Sequence, residues 1–146
     1  MKLALIPLLI GIIAGVSMAL QGSLNTILSK AIGLLEATFV VHVIGVIALI
    51  VLLLLRLGNG SLARMGEAPW YAYLGGLLSI VILYAVMASI SKLGVSIATT
   101  AIIVGQVSTA LIIDHFGLFG LREIPFTWWK VLGIAFLATG AKLMLN

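Results

Sequence analysis

The sequence has no cysteine among its 146 residues, only three prolines and only four acidic side chains. Without cysteine there is no disulfide, no zinc–thiolate site and no thiol nucleophile, and the redox compartment cannot be read. Charge of either sign is scarce. Eight Lys or Arg and four Asp or Glu make up 8% of the chain, where soluble domains carry roughly 25%. Apolar residues fill the space, at 63% with a mean hydropathy of +1.34, against roughly 45–50% in a soluble domain. So few charges could not cover a water-facing surface. Soluble enzymes, nucleic-acid binders and disordered tails are excluded on that ground. The net charge of +4 and the pI near 9.8 do not argue for a nucleic-acid partner. The basic residues are single and sit at segment ends, not gathered on one face.

The gaps between charges carry the fold. No Lys, Arg, Asp or Glu occurs in Leu3–Ser29, Ala37–Leu55, Ala68–Ser91 or Leu93–Ile113. A helix rises about 1.5 Å per residue, so about 20 apolar residues cross a hydrocarbon core about 30 Å thick. A fifth stretch has a charge-free centre, Val131–Ala141, flanked by Lys130 and Lys142, which can snorkel to the headgroups. Trp128 and Trp129 stand where an interfacial aromatic belt would place them. The expectation is an all-α, polytopic membrane protein in a single transmembrane domain. Its five helices are expected at 3–29, 36–56, 69–91, 95–116 and 126–145. Lys2 and Ser17-Met18-Ala19 have some character of a secretory signal, but the apolar stretch is long for one and four more spans follow.

The joints are short. Gly58-Asn59-Gly60-Ser61 opens the longest loop, and Lys92-Leu93-Gly94 is a tight joint between the third and fourth spans. Five spans put the termini on opposite sides of the membrane. One side then receives Lys2, Arg56, Arg64, Arg122 and Lys130, and the other Lys30, Lys92 and Lys142. This Lys/Arg bias leaves two orientations open. Either the first side is cytoplasmic, or the chain inserts both ways up and two copies pair antiparallel, supplying the inverted repeat that many transporters carry within one chain.

Polar groups inside apolar spans cost energy unless they find a partner or a wet cavity. Gly11, Gly15, Gly22, Asn25 and Ser29 share one face of the first helix, and Gln21 lies one turn before Asn25. That face reads as close helix packing through Gly11 and Gly15, with Gln21 and Asn25 either lining a cavity or joining helices by hydrogen bonds. Glu36 marks either a membrane surface and helix N-terminus or an ion-coupling site. His42, about 9 Å further along that helix, is either a neutral hydrogen-bonded imidazole or a proton relay. In the third span, Gly75-Gly76 reads as a close crossing, and Tyr84 as cavity lining or an ordinary buried aromatic. In the fourth, Gln106 lies about 16 Å from the helix start, near mid-membrane. Asp114 and His115 fall at its far end, where Asp114 could pair with Arg122 or a loop amide and Gly117 could cap the helix. Gly133 and Gly140 share a face of the fifth span, as in a packing or dimer helix. No nucleophile–base pair, metal-ligand cluster or phosphate-binding glycine loop is present, so no catalytic residue, metal or cofactor is expected.

Several blocks carry a family resemblance. They are Gln21-Gly22-x-x-Asn25, the run from Trp70 to Leu74-Gly75-Gly76-Leu77-Leu78, and Lys92-Leu93-Gly94 leading to Gly105-Gln106. The most specific is Ile113-Asp114-His115-Phe116-Gly117-x-x-Gly120. Together with the Gly133/Gly140 helix, the sequence resembles the five-helix YdcZ-like branch of the drug/metabolite transporter superfamily over nearly its whole length. Ser79 and Ser91 stand where many relatives carry Gly and Pro. The resemblance implies a bacterial inner-membrane exporter related to the small multidrug resistance proteins, which have four helices and work as antiparallel dimers. It also implies kinship with ten-helix transporters built from two inverted five-helix halves. Those small relatives hold a membrane-embedded Glu in the first helix, where this chain has Gln21 and Asn25, so their proton coupling is not carried over.

The expected function is transport of small organic molecules by alternating access, as one half of a ten-helix bundle in the bilayer. Its partner would be a second copy in opposite orientation or a paired homologue. Substrate contacts are expected at Gln21, Asn25, His42, Tyr84 and Gln106, ion coupling at Glu36, His42 or Asp114, and helix or dimer packing at Gly11, Gly15, Gly133 and Gly140. The alternative is a non-transporting structural subunit of a membrane complex, in which the same polar stripes bind helices together.

Overall fold

The computed structural model describes residues 2–144. Among them the regular structure is all helical: α1 Lys2–Ile32, α2 Leu34–Leu54, α3 Leu74–Leu93, α4 Val95–Phe116 and α5 Trp128–Met144, with short 3-10 turns in the connections. The chain divides into two compact units, Met1–Ala88 and Ser89–Asn146.

In the first unit α1 runs past its expected end at residue 29, because Lys30-Ala31-Ile32 offers nothing to stop it. It stops at Gly33, whose φ of +101° is left-handed backbone that a glycine takes without strain. The joint is therefore one residue long, and α2 starts two residues earlier than expected. Gly33 donates its N–H to Ser29 O at 2.9 Å, and Ala37 N–H donates to Gly33 O at 3.0 Å, so backbone groups on both sides of the joint remain bonded. At its far end α2 closes with Arg56 in a left-handed turn (φ 56°). Arg56 N–H bonds to Leu53 O and Leu57 N–H to Leu52 O at 2.9 and 3.2 Å, the paired bonds of a Schellman ending.

The third span was expected to begin near residue 69. Pro69 instead starts a 3-10 turn, Trp70–Tyr73, and the α-helix proper begins at Leu74. The Tyr73 hydroxyl donates to Met65 O and ties the loop to the head of α3. In that loop Arg64 and Glu67 form a bidentate pair at 2.7–2.9 Å, and the carboxylate holds the guanidinium above its ordinary pKa range. Both side chains are exposed, so this pair adds little to stability.

The core of this unit is small. Ala37 and Met87 are fully buried, Leu83 is nearly so, and Leu28, Leu34 and Val41 pack around them. On α1 the buried positions are Gly22, Asn25, Thr26 and Ser29, while Leu20, Leu24 and Ile27 on the opposite face are more than 60% exposed. The glycine–amide stripe therefore faces protein in its second half, and the leucine–isoleucine side faces outward. Large apolar side chains stay exposed along every helix. Such a surface would aggregate in water and is at home in hydrocarbon.

In the second unit α4 packs against α5. Gly117 ends α4 in a left-handed turn (φ 55°, ψ 35°) with its N–H on Ile113 O, the expected glycine cap. The Ile124 N–H donates to Asp114 O at 2.8 Å, satisfying a carbonyl at the helix end. The loop amide thus meets the backbone of Asp114. The Asp114–Arg122 alternative is not realised, since Arg64–Glu67 is the ion pair formed among the described residues.

Four helical stretches, Leu5–Ile32, Leu34–Leu54, Trp70–Leu93 and Val95–Phe116, are long and apolar enough to cross a membrane. Among the described residues the fifth helix is present but shorter than these four. It starts at Trp128, after Pro125-Phe126-Thr127, and has 17 residues, a length of about 26 Å against a hydrocarbon core of about 30 Å. The expected last residue of that span, Leu145, lies outside the described residues.

Candidate functional site

The first unit brings polar side chains from three helices to one place. Gln21 on α1, His42 and Gly45 on α2, and Ser79 on α3 line a cavity of about 410 Å³ whose other walls are apolar, among them Leu49, Ile82 and Leu83. Helical spacing explains the α2 contribution, since Val41, His42, Gly45, Val46 and Leu49 fall on one broad face. His42 also lines a second cavity of about 520 Å³, with Glu36, Thr38, Phe39 and Ile80. The imidazole is therefore shared by two hollows, one walled by an uncharged amide and one by a carboxylate.

Hydrogen bonds fix the ring. His42 Nδ1 lies 2.7 Å from Thr38 O one turn back, and Nε2 lies 3.0 Å from Ser79 Oγ across the gap to α3. Ser79 Oγ also lies 2.7 Å from Gly76 O. A carbonyl only accepts, so Nδ1 carries a hydrogen. The ring is half-buried and bridges two helices.

Asn25 sits one turn along α1 from Gln21 and is buried, at 7% exposure. Its Nδ2 is the buried side-chain nitrogen or oxygen without a hydrogen-bond partner among the described residues. The neighbouring buried hydroxyls are satisfied locally: Thr26 donates to Gly22 O, Ser29 to Thr26 O and Thr38 to Leu34 O, at 2.7–2.9 Å. The unpaired amide is therefore a specific exception in a stretch that otherwise accounts for its polar groups, and it costs about 1–3 kcal/mol while unmet.

Glu36 is exposed and curls back over the α1–α2 joint. A Cβ built on Gly33 would meet its Oε2 at 2.3 Å. The carboxylate thus lies at the N-terminus of α2, where negative charge is favoured, while also walling the larger cavity. Tyr84 is exposed and lies outside both cavities.

In the second unit His115, Ser108, Phe116, Phe126 and Ile134 line a third cavity of about 390 Å³. The His115 ring stands edge-on to Phe116 and Phe126, with centroids at 4.7 and 6.1 Å. Gln106 is exposed and lies outside this cavity, and Asp114 is half-buried. Among the described residues the expected packing glycines make no close approach. No atom lies within 4 Å of a Cβ built at Gly11, Gly15, Gly75, Gly76, Gly133 or Gly140.

Of the residues expected to act, then, Gln21 and His42 meet in one cavity, Glu36 joins His42 in the next, and Asn25 is buried one turn from Gln21. Ser79 is the member that sequence reasoning did not assign. Its distance of 37 positions from His42 hides the pairing, and only its unusual polarity in α3 marked it. Among the described residues no three His, Asp or Glu side chains gather as metal ligands would.

No curated protein and no solved structure matches the chain. The family model DMT_YdcZ, described as "Putative inner membrane exporter, YdcZ", matches residues 6–143. With apolar helices of membrane-crossing length and a small polar cavity among them, this multi-pass membrane protein belongs to the YdcZ inner membrane exporter family.

Proposed function

We propose that the chain is half of a transporter for small organic molecules, working by alternating access as an antiparallel dimer in a bacterial inner membrane. The partner is a second copy in opposite orientation or a paired homologue, so that ten helices form a bundle with inverted symmetry. The observation that carries this reading is the meeting of Gln21, His42 and Ser79 around one cavity in a unit whose outer surface is apolar. Polar groups cost energy in such a setting unless they find a partner, a wet path or a ligand, and gathering them around a hollow leaves room for the last two. Gln21, Asn25, His42, Tyr84 and Gln106 are the proposed substrate contacts. Glu36, His42 and Asp114 are the proposed candidates for ion coupling.

Two features support completion by a second chain. The glycine faces at Gly11/Gly15 and Gly133/Gly140 are open, as surfaces awaiting another helix would be. Gln106 is an exposed amide on an apolar helix, and a neighbouring copy would give it a partner. Flux of small amphiphilic dyes through vesicles holding the purified chain tests the proposal. Replacing Gln106 with Ala is expected to reduce flux at least tenfold while cross-linking still captures the dimer. Unchanged flux removes Gln106 from the site. Absence of flux with copurification of a stoichiometric foreign subunit supports the structural-subunit alternative.

A further inference from the structure

The heavy atoms at His42 and Ser79 admit two hydrogen-bond arrangements, which differ by one proton on the ring. Nδ1 must donate, because Thr38 O can only accept. A neutral imidazole then has a bare Nε2, which needs a donor. Ser79 has one hydroxyl hydrogen and two acceptors in reach, Nε2 at 3.0 Å and Gly76 O at 2.7 Å. If the hydroxyl donates to Gly76 O, the Nε2 contact is satisfied only by a proton on Nε2, donated to Ser79 Oγ. If the hydroxyl turns to Nε2, the ring is neutral and Gly76 O keeps only its helical partner.

We propose that His42 and Ser79 form a proton-binding switch: the imidazolium donates to Ser79 Oγ while Ser79 donates to Gly76 O, and loss of the Nε2 proton reverses the hydroxyl onto the ring. The step balances. One proton leaves Nε2 to water in the adjoining cavity, no bond between heavy atoms changes, and the α2–α3 hydrogen bond reverses its polarity. Ser79 is a positioning residue in this switch and His42 binds the proton. As a coupling device it rests on the transporter reading above and selects His42 from the candidates named there. As a proton site it stands on the geometry alone.

The surroundings determine which state each opening favours. In the cavity shared by the pair, α1 contributes the uncharged Gln21, and α3 contributes no titratable group. In the neighbouring cavity Glu36 of α2 is the other titratable group. A positive charge enclosed by Leu49, Ile82 and Leu83 is costly, whereas water or the Glu36 carboxylate offsets it. Alternating access needs a coupling site whose charged and neutral states answer to such a difference in surroundings.

The chain has two histidines, and His115 is outside the switch, so H115N leaves a single ring to observe. The test is ¹⁵N NMR of histidine-labelled H115N protein in lipid nanodiscs across a pH titration. The expected neutral form is the Nδ1–H tautomer. S79A is expected to bind the proton about fivefold more weakly, because the charged form loses the stronger of the two hydrogen bonds. S79T, which keeps the hydroxyl, is expected to restore the parent titration. An Nε2–H neutral tautomer overturns the proposal, and so does an S79A titration identical to the parent. If S79A fails to fold, the parent tautomer and the S79T titration still decide. Vesicle flux separates the two readings. An Nδ1–H tautomer with no flux at any pH upholds the proton site and removes the transporter. Flux whose pH dependence survives H42Q removes His42 from coupling.

Discussion

At the scale of the residue, the polar groups of the first unit fall into two kinds. Thr26, Ser29 and Thr38 spend their hydroxyls on carbonyls three or four residues back and ask nothing of a neighbour. Asn25 Nδ2 and the His42–Ser79 pair cannot be accounted for that way. An apolar residue of similar volume at position 25 removes the unmet donor, so N25L is expected to raise the thermal stability of the purified protein by about 1 kcal/mol. Under the proposed function, in which the amide contacts substrate, vesicle flux by the same variant is expected to fall. Loss of stability in N25L would show instead that the amide holds α1 in place. The candidates Gln21, Asn25 and His42 were legible from the sequence because a polar side chain within an apolar run is costly wherever it points. The bond to Thr38 O follows from one helical turn. The bond to Ser79 does not, since the register between α2 and α3 depends on how Ala37, Leu83 and Met87 pack.

At the scale of the element, glycine and proline set the boundaries more firmly than hydropathy does. The α4 span was legible to the residue because Gly94 and Gly117 bracket it. The expectation for α1 and α2 differs from the structure by two or three residues, because the charge-free runs stop beside Lys30 and Glu36, whereas the turn is made at Gly33. Charge reports the membrane surface, and backbone conformation reports the helix end. The fifth helix was overestimated for a related reason. A flanking lysine can snorkel, so hydropathy extends the segment, but Pro125 delays the helix until Trp128. The α1–α2 joint provides a direct test. A side chain at 33 faces both a φ of +101° and the Glu36 carboxylate at 2.3 Å. G33A is therefore expected to destabilise the protein by about 1–3 kcal/mol, read as a lowered melting temperature with helicity retained. G33A combined with E36A relieves the contact and is expected to recover only part, since the backbone strain persists. Full recovery by the double variant would assign the whole cost to the carboxylate.

At the scale of the whole molecule, the proposed dimer rests on the polar and glycine faces that each unit leaves uncovered. The buried apolar core is small, the faces at Gly11/Gly15 and Gly133/Gly140 are open among the described residues, and Gln106 is exposed. A bilayer explains the exposed leucines, but it explains neither an exposed amide nor rows of glycine. The proposed inverted second copy would give both a neighbour, and the five-to-three division of basic residues between the two sides is weak enough to permit insertion either way up. The membrane class, the helical fold and the family were legible in the sequence. The partner was not, because a chain records its own hydropathy and not what covers its outer faces. The absence of cysteine makes the decisive measurement clean. Asn59 is exposed in the loop after α2, and N59C would be the only thiol. With an impermeant thiol reagent on intact cells, the account predicts that about half the copies react, and that the rest react only after permeabilisation. Labelling confined to one side of the membrane would contradict the inverted homodimer.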